Sequence, residues 1–587
     1  MATFNRPGVY IQEVPLPQSV TLANNSSAIA AFVGTLPKGS TTVPVLVTTW
    51  TDFVKTFGGL NDSYPTTWAA FNFFANGGRN LYVKRVVGTG STSGAVTLTD
   101  GATGTLTSTV TAASAAAGTV TYTSSNTFTA GQTVSITGLS TSAFNLTSVL
   151  IATANSTTFT VTNAATGTAV TGATATATVT LTPTNVFTLT ALNPGGWANS
   201  YSAQTVAAGD PTRFGLNIYV TSSSSGTVTT ALVESYTDLS MTSTDSRYIG
   251  AVIPTQSSLV SVSAISLTKT PGVMAVASAF TSGSDGATPD RTAYNAWAAG
   301  FDSITSSLVL YAADAPYAAT GTLTSQLHAD AVIYAAGRTD CFAVIDTPSG
   351  LSRADAQTSV TATAALFASA TAGGVAAAYY PWYSIPDSTK LLGAVRNQAP
   401  GAGVVGQYLA TDASRGPAKT PAGLNNRLAM SVATEHLFTN AELDLLNMSV
   451  DPINAIRQVP GAGIVIMGGR TIDNTPNNRY INIRRSLIYI EKALNDLSYF
   501  ALFENNDSIL WSRLNTTLSS FLLGYWKDGN LRGNTPDQAY YVKCDDSTTS
   551  FADIQAGKVN IQIGVALQYP AEFVVITLSQ LTGNASI

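Results

Sequence analysis

The chain has 587 residues, a formal net charge of −5 and only 10% charged side chains, against roughly 25% in an ordinary soluble protein. Its length exceeds what one core organises, so several domains are expected, and a negative balance without a basic run argues against a nucleic-acid partner. No stretch approaches the roughly 20 apolar residues of a membrane span, and no basic-then-apolar leader opens the chain, so no membrane insertion and synthesis in the cytoplasm are expected.

Pro7 and Pro15 bracket an alternating extended segment, Val9, Tyr10, Ile11, Gln12, Glu13 and Val14. Proline blocks helix and tolerates a sheet edge, and so short a strand must join a sheet elsewhere. Ile29–Gly34 reads as a buried strand, Trp50–Phe57 as a helix, Phe71–Phe74 as the end of a second helix, and Asn80–Val87 as a strand. Between Arg85 and Asp210 the only acidic or basic side chain is Asp100. Short Val/Thr/Ile-rich strands alternate there with Gly, Ser and Asn turns, and Tyr122, Phe128, Phe144 and Phe159 are spaced to fill a core. That pattern predicts an inserted immunoglobulin-like β-sandwich over 91–183 rather than a disordered Thr/Ala linker. Strands follow at Leu216–Val220 and Thr229–Tyr236, and Tyr248–Val262 closes a mostly β region.

From Leu308 the pattern becomes strand (Leu308–Ala312), helix (Leu323–Ala336), strand (Cys341–Asp346), helix (Ala354–Ser369), strand (Val375–Trp382). This is a βαβαβ alternation, which implies a parallel sheet. Ile483, Leu487, Ile490, Leu494 and Leu497 share one helix face, with Arg484, Arg485, Glu491, Lys492 and Asn495 opposite. Tyr499–Phe503 reads as a short strand. Asn506 and Asp507 cap a further helix whose buried stripe is Leu510, Leu514, Leu518, Phe521 and Tyr525, with Asn515 exposed. Gly557–Leu567 alternates strictly through Val559, Ile561, Ile563, Val565 and Leu567, a half-buried strand.

Phe4-Asn-Arg-Pro-Gly-Val-Tyr-Ile-Gln-Glu-Val-Pro, Gly77-Gly-Arg-Asn-Leu-Tyr-Val-Lys-Arg-Val, Ala378-Tyr-Tyr-Pro-Trp, Tyr480-Ile-Asn-Ile-Arg-Arg and Gly529-Asn-Leu-Arg-Gly-Asn-Thr-Pro-Asp-Gln-Ala follow one another in an order that resembles contractile tail sheath proteins. That family serves contractile-tailed bacteriophages and related injection systems. Met467-Gly-Gly-Arg-Thr and Arg396-Asn-Gln-Ala-Pro depart from its usual turns, which bears on local packing only. The resemblance implies an α/β and α+β multidomain fold. Its parts are an N-terminal extended arm (1–25), a first core segment (26–90), the insertion (91–183), a β-rich domain (184–281), a non-catalytic subtilisin-like α/β domain (282–400), a C-terminal domain (401–556) and C-terminal strands or arm (557–587). It implies a structural protomer that polymerises with copies of itself around an inner tail tube, between baseplate and tail terminator proteins, in a virion. Contraction would drive the tube through a cell envelope. In such proteins the terminal arms reach neighbouring subunits, which marks Val9 to Val14 and the alternating 557–567 strand as linkage candidates. Arg484 and Arg485 are possible contact charges on a solvated helix face. The Thr-rich insertion alone would also suit a surface adhesin or array-forming protein.

Gly401-Ala-Gly-Val-Val-Gly matches a dinucleotide-binding fingerprint letter for letter. Pro400 precedes it and no acid stands about 20 residues on, so a Gly-rich turn between buried strands is expected instead. His328 lies mid-helix, His436 follows Glu435 on a helix-like segment, and neither accompanies a Gly-Thr-Ser nucleophile turn. Two histidines and two distant cysteines make a poor zinc set, and Asp473-Asn-Thr-Pro-Asn-Asn lacks calcium-loop spacing. Cys341 and Cys544 read as small buried hydrophobes, with an intersubunit disulfide as the alternative. No catalytic, cofactor or metal site is expected.

Overall fold

Uninterrupted apolar strands that are buried on both faces belong in a parallel sheet covered by helices on each side, and this chain builds one from distant segments. The computed structural model describes residues 28–224, 227–295, 298–367 and 372–572; the expected arm strand Val9 to Val14 lies outside the described residues. Contacts divide the chain into two units, Met1–Thr89 with Ala287–Ile587, and Gly90–Gly286.

In the first unit, β1 (Ile29–Thr35), β2 (Val45–Val47), α1 (Trp50–Phe57), α2 (Pro65–Ala75) and β3 (Leu81–Val86) come first. After the second unit follow β4 (Leu308–Ala312), α3 (Gly321–Arg338), β5 (Cys341–Asp346), α4 (Arg353–Ala364), β6 (Ala376–Tyr380), β7 (Tyr383–Pro386), β8 (Val395–Gln398) and α5 (Gly401–Arg415). Further along come β9 (Ile453–Val459), β10 (Gly463–Met467), α6 (Ile481–Ser498), α7 (Ser508–Lys527), β11 (Tyr540–Lys543) and β12 (Gln562–Val565), with shorter elements between them.

The main sheet has eight strands in the order β2-β3-β1-β4-β5-β6-β9-β10. The six central strands run parallel, and β2 and β10 close the two edges antiparallel. Every residue of β4, β5 and β6 is buried. One sheet therefore takes strands from the first core segment, the α/β segment and the C-terminal segment of the sequence reading. Thr320 and Ser352 cap α3 and α4 through their side chains, which satisfies amide groups that a helix start leaves orphaned.

The Gly401–Gly406 motif is the start of α5, not a turn. A Cβ at Gly406 would lie 2.6 Å from the Phe73 carbonyl oxygen, and one at Gly403 2.7 Å from the Tyr383 hydroxyl. The glycines let α5 lie directly on α2, and that packing outweighs their poor helix propensity.

Two further differences have local causes. Tyr499–Ala501 is a 3-10 turn rather than a strand; it carries α6 towards α7, which Asp507 caps by accepting from Ile509 and Leu510 amides. Asn515 is half-buried because its Nδ2 donates to the Val542 carbonyl at 3.3 Å.

The second unit holds the insertion. It is a closed six-stranded barrel, not a two-sheet sandwich. The long strand Gly167–Leu181 pairs with Gly104–Ala116 on one edge and Thr133–Leu139 on the other. A register shift between Val170 and Thr176 bends it enough to serve both. Inside, Tyr122 stacks on Phe159 with centroids 5.0 Å apart and donates to the Phe144 carbonyl at 2.9 Å. Outside, hydroxyls face each other across strands, as in Thr107–Thr178–Ser135. The barrel starts later than expected: Ala95–Thr99 pairs with Asn185–Ala191, which also pairs with Val260–Ser263. Its two ends meet at Asp100, whose carboxylate accepts from the Thr184 amide at 2.9 Å and from Lys269 at 2.7 Å. Desolvation pushes that carboxyl up, but the Lys269 and Thr184 bonds outweigh it and hold its pKa well below the usual range. Phe214–Ser224 and Thr227–Leu239 form a long hairpin in a four-stranded sheet. Within the expected β stretch Tyr248–Val262, residues Ile249–Gln256 are helical, and Ile249, Val252 and Ile253 bury one face.

Candidate intersubunit surface

The C-terminal part of the first unit ends in a small sheet. β11 and β12 pair antiparallel, Tyr540 opposite Val565 and Val542 opposite Ile563. One face packs on α6 and α7 in a cluster built on Ile490, Leu522 and Tyr525, with Ile563, Val565 and Leu567 half-buried against it. Val559 and Ile561 join a neighbouring cluster around Trp511, Leu514 and Cys544. Of the segment expected as one strand over 557–567, Gln562–Val565 is a strand, and the segment is docked in its own chain. On the other face Tyr541 lies over Gly564, where a Cβ would be 2.2 Å from the ring. Among the described residues this sheet has two strands, so each keeps an edge without a ladder partner, a template for strand addition.

The chain then passes Gln568 and reaches Glu572 under close control. Asn482 donates to the Gln568 carbonyl at 2.8 Å. Arg470 grips Glu572 through two bonds of 2.9 and 2.6 Å, and the Tyr480 hydroxyl donates to Glu572 at 3.3 Å. A fork-on-carboxylate contact of this kind fixes direction as well as position.

The two arginines that open α6 part company. Arg484 is half-buried, 4.0 Å from Glu491. Arg485 is 5% exposed and pairs through both terminal nitrogens with Asp412 of α5, one contact being 2.9 Å. Its guanidinium also lies 4.7 Å over the Tyr408 ring. Burial lowers its pKa, yet the Asp412 charge outweighs burial and holds it raised. Arg485 is therefore no surface contact charge; it clamps α6 to α5 inside one chain.

His328 is 1% exposed, and burial depresses its pKa to about 3, so it stays a neutral acceptor 3.5 Å from the Asp346 amide. His436 lies in a loop rather than a helix and pairs with Glu442 at 3.1 Å. Cys341 and Cys544 are buried free thiols whose pKa values burial raises. Among the described residues no group of three or more His, Cys, Asp or Glu side chains converges, and no helix is long and apolar enough to cross a membrane.

No family model matches the sequence, and no curated protein matches it. Solved structures do match. A chain of the anti-feeding prophage baseplate shares 17% identity, with 99% of this chain and 100% of that one covered at a TM-score of 0.51. The helical sheath of the same particle in its contracted state shares 16% identity, with 98% and 100% covered at 0.52. A sheath tail protein from Listeria innocua shares 10% identity, with 93% and 97% covered at 0.53. Over nearly its whole length, the chain shares the fold of contractile sheath proteins.

Proposed function

We propose that this chain is the structural protomer of a contractile tail sheath, with no enzymatic role. The observation that carries the reading is the match to a helical sheath over almost all of both chains, the barrel-bearing unit included. Copies would stack around an inner tube, abut a baseplate at one end and a terminator at the other, and assemble in a host cytoplasm as part of a phage tail or related injection particle. Two units, each with its own core, suit rigid-body rearrangement on contraction. The β11–β12 edge is then the receiving sheet, and extended segments such as Val9 to Val14 of a neighbour are the strands it receives, main-chain bonds supplying adhesion and alternation supplying register.

The test is electron microscopy of the expressed chain, where hollow striated tubes are expected. Removing Ala2 to Val14 leaves a folded monomer by circular dichroism that no longer sediments as polymer. Normal tubes from the truncated chain would refute the arm linkage, and discrete closed rings or monomers from the intact chain under all conditions would refute the sheath reading.

A further inference from the structure

α5 begins beside polar atoms that its own packing does not satisfy. Asp346, at the end of β5, is 2% exposed. Its Oδ2 accepts from the Tyr311 hydroxyl and the Gly401 amide, each at 2.8 Å. Its Oδ1 has no hydrogen-bond partner among the described residues. The same holds for the hydroxyl of the next residue, Thr347, and for both amide atoms of Gln398, three residues ahead of Gly401. Thr347 and Gln398 are both 0% exposed. Two residues earlier, on the same face of β8, Arg396 leaves its Nε unpaired and lies 4.0 Å over the Trp68 ring, whose Nε1 is unpaired too. Arg396 reaches the surface, where it bonds Asp62 at 2.5 Å.

Such groups are rarely left bare in an interior. The unpaired set mixes donors (Trp68 Nε1, Arg396 Nε, Gln398 Nε2) with acceptors (Asp346 Oδ1, Gln398 Oε1) and a hydroxyl that is both. A cation would strand the donors and an anion the acceptors, whereas water serves either. We propose that this seam is an internal hydration path from the Asp62–Arg396 ion pair to Asp346, through which the Asp346 carboxyl exchanges protons with solvent and governs how firmly α5 is held on the sheet.

Burial pushes the Asp346 carboxyl up to about 7, with the Tyr311 and Gly401 bonds pulling the other way. Because Oδ2 already accepts twice, Oδ1 is the oxygen left to carry the proton of the neutral form. The groups facing it are shifted by burial as well. His328 from α3 is held at about 3. Tyr311 from β4, Tyr317 after it, Tyr379 from β6 and Tyr383 from β7 are all raised by burial. The Arg396 guanidinium faces it from β8, and Asp314, which acts on Tyr317, is raised by burial in the same direction as Asp346 while accepting from Tyr294 and Thr66. The folded value exceeds that of an unfolded aspartate, so the native state holds a proton the unfolded chain has lost. Stability therefore declines as pH rises from about 4 to about 7 and levels off above. This inference stands independently of the sheath reading.

The experiment is infrared spectroscopy of the full chain, wild type minus Asp346→Asn, from pH 5 to 9 and after transfer to D2O, with melting curves alongside. A protonated-carboxyl band at pH 5 that vanishes with a midpoint near 7 and shifts promptly in D2O is expected, with a melting temperature that falls over this range less in the Asn variant. Gln398→Leu, which leaves Asp346 in place, should slow the deuterium shift at least tenfold and serves if Asp346→Asn does not fold. Absence of the band at pH 5, or equal exchange in wild type and Gln398→Leu, overturns the proposal.

Discussion

Arg484 and Arg485 are neighbours in the chain, and nothing local distinguishes them. A helix turns about 100° per residue, so one faces Glu491 and the other faces Asp412, 73 residues away. That partner was not legible, because the contact that buries Arg485 is tertiary. Replacing Arg485 by Met strands Asp412 in the interior and should cost about 3–5 kcal/mol in chemical denaturation; adding Asp412→Leu should recover most of the loss. Leu514 was readable from spacing alone and is 1% exposed. Leu514→Ala should cost roughly 2–5 kcal/mol through lost burial and a residual cavity, while Thr516→Ala, on the exposed face, should stay within about 0.5 kcal/mol. Equal midpoints for the two would refute the face assignment.

Strands with unbroken apolar runs between polar boundaries were the most legible elements, and Cys341–Asp346 is found residue for residue. Strand pairing was not: alternation tells which side of a strand is buried, not which partner lies beside it, so barrel closure was missed. α5 was missed because Pro400 and three glycines read as breakers, although here they permit contact with α2. Glycines in two helices should accordingly respond in opposite ways. Gly406→Ala must push against the backbone of α2 and should destabilise by about 1–3 kcal/mol. Gly524→Ala in α7 meets nothing within 4 Å and should stabilise by about 0.4–1 kcal/mol. Thermal melting of the two variants decides. Of the candidate linkage surface, the sequence pattern marks the segment, but the strand is confined to Gln562–Val565; its docking against β11 and the Arg470–Glu572 grip depend on residues far apart in sequence.

At the scale of the whole molecule, the barrel is attached by a single root. The Asp100 amide donates to the Thr184 carbonyl at 3.0 Å, so the two crossing points are already adjacent. Excising 101–183 behind a short glycine link should leave the sheets of both units folded and tubes able to form, since closing so short a gap changes loop entropy little. Circular dichroism and electron microscopy of the excised chain check this; insoluble protein would mean that the barrel supports its neighbours.

That barrel has a practical consequence. From Val86 to Thr212 the sequence holds no lysine or arginine. Trypsin has no cleavage site there, folded or unfolded, and lysine-directed cross-linkers and labels have no target. Peptide mapping by tryptic digestion will pass over this part of the chain even where the protein is abundant. Proteases that cut at Tyr122, Phe128, Phe144 or Phe159 will reveal it only after the barrel opens, because those four side chains line its interior. A chymotryptic cut at one of these four aromatic residues thus reports unfolding of the barrel.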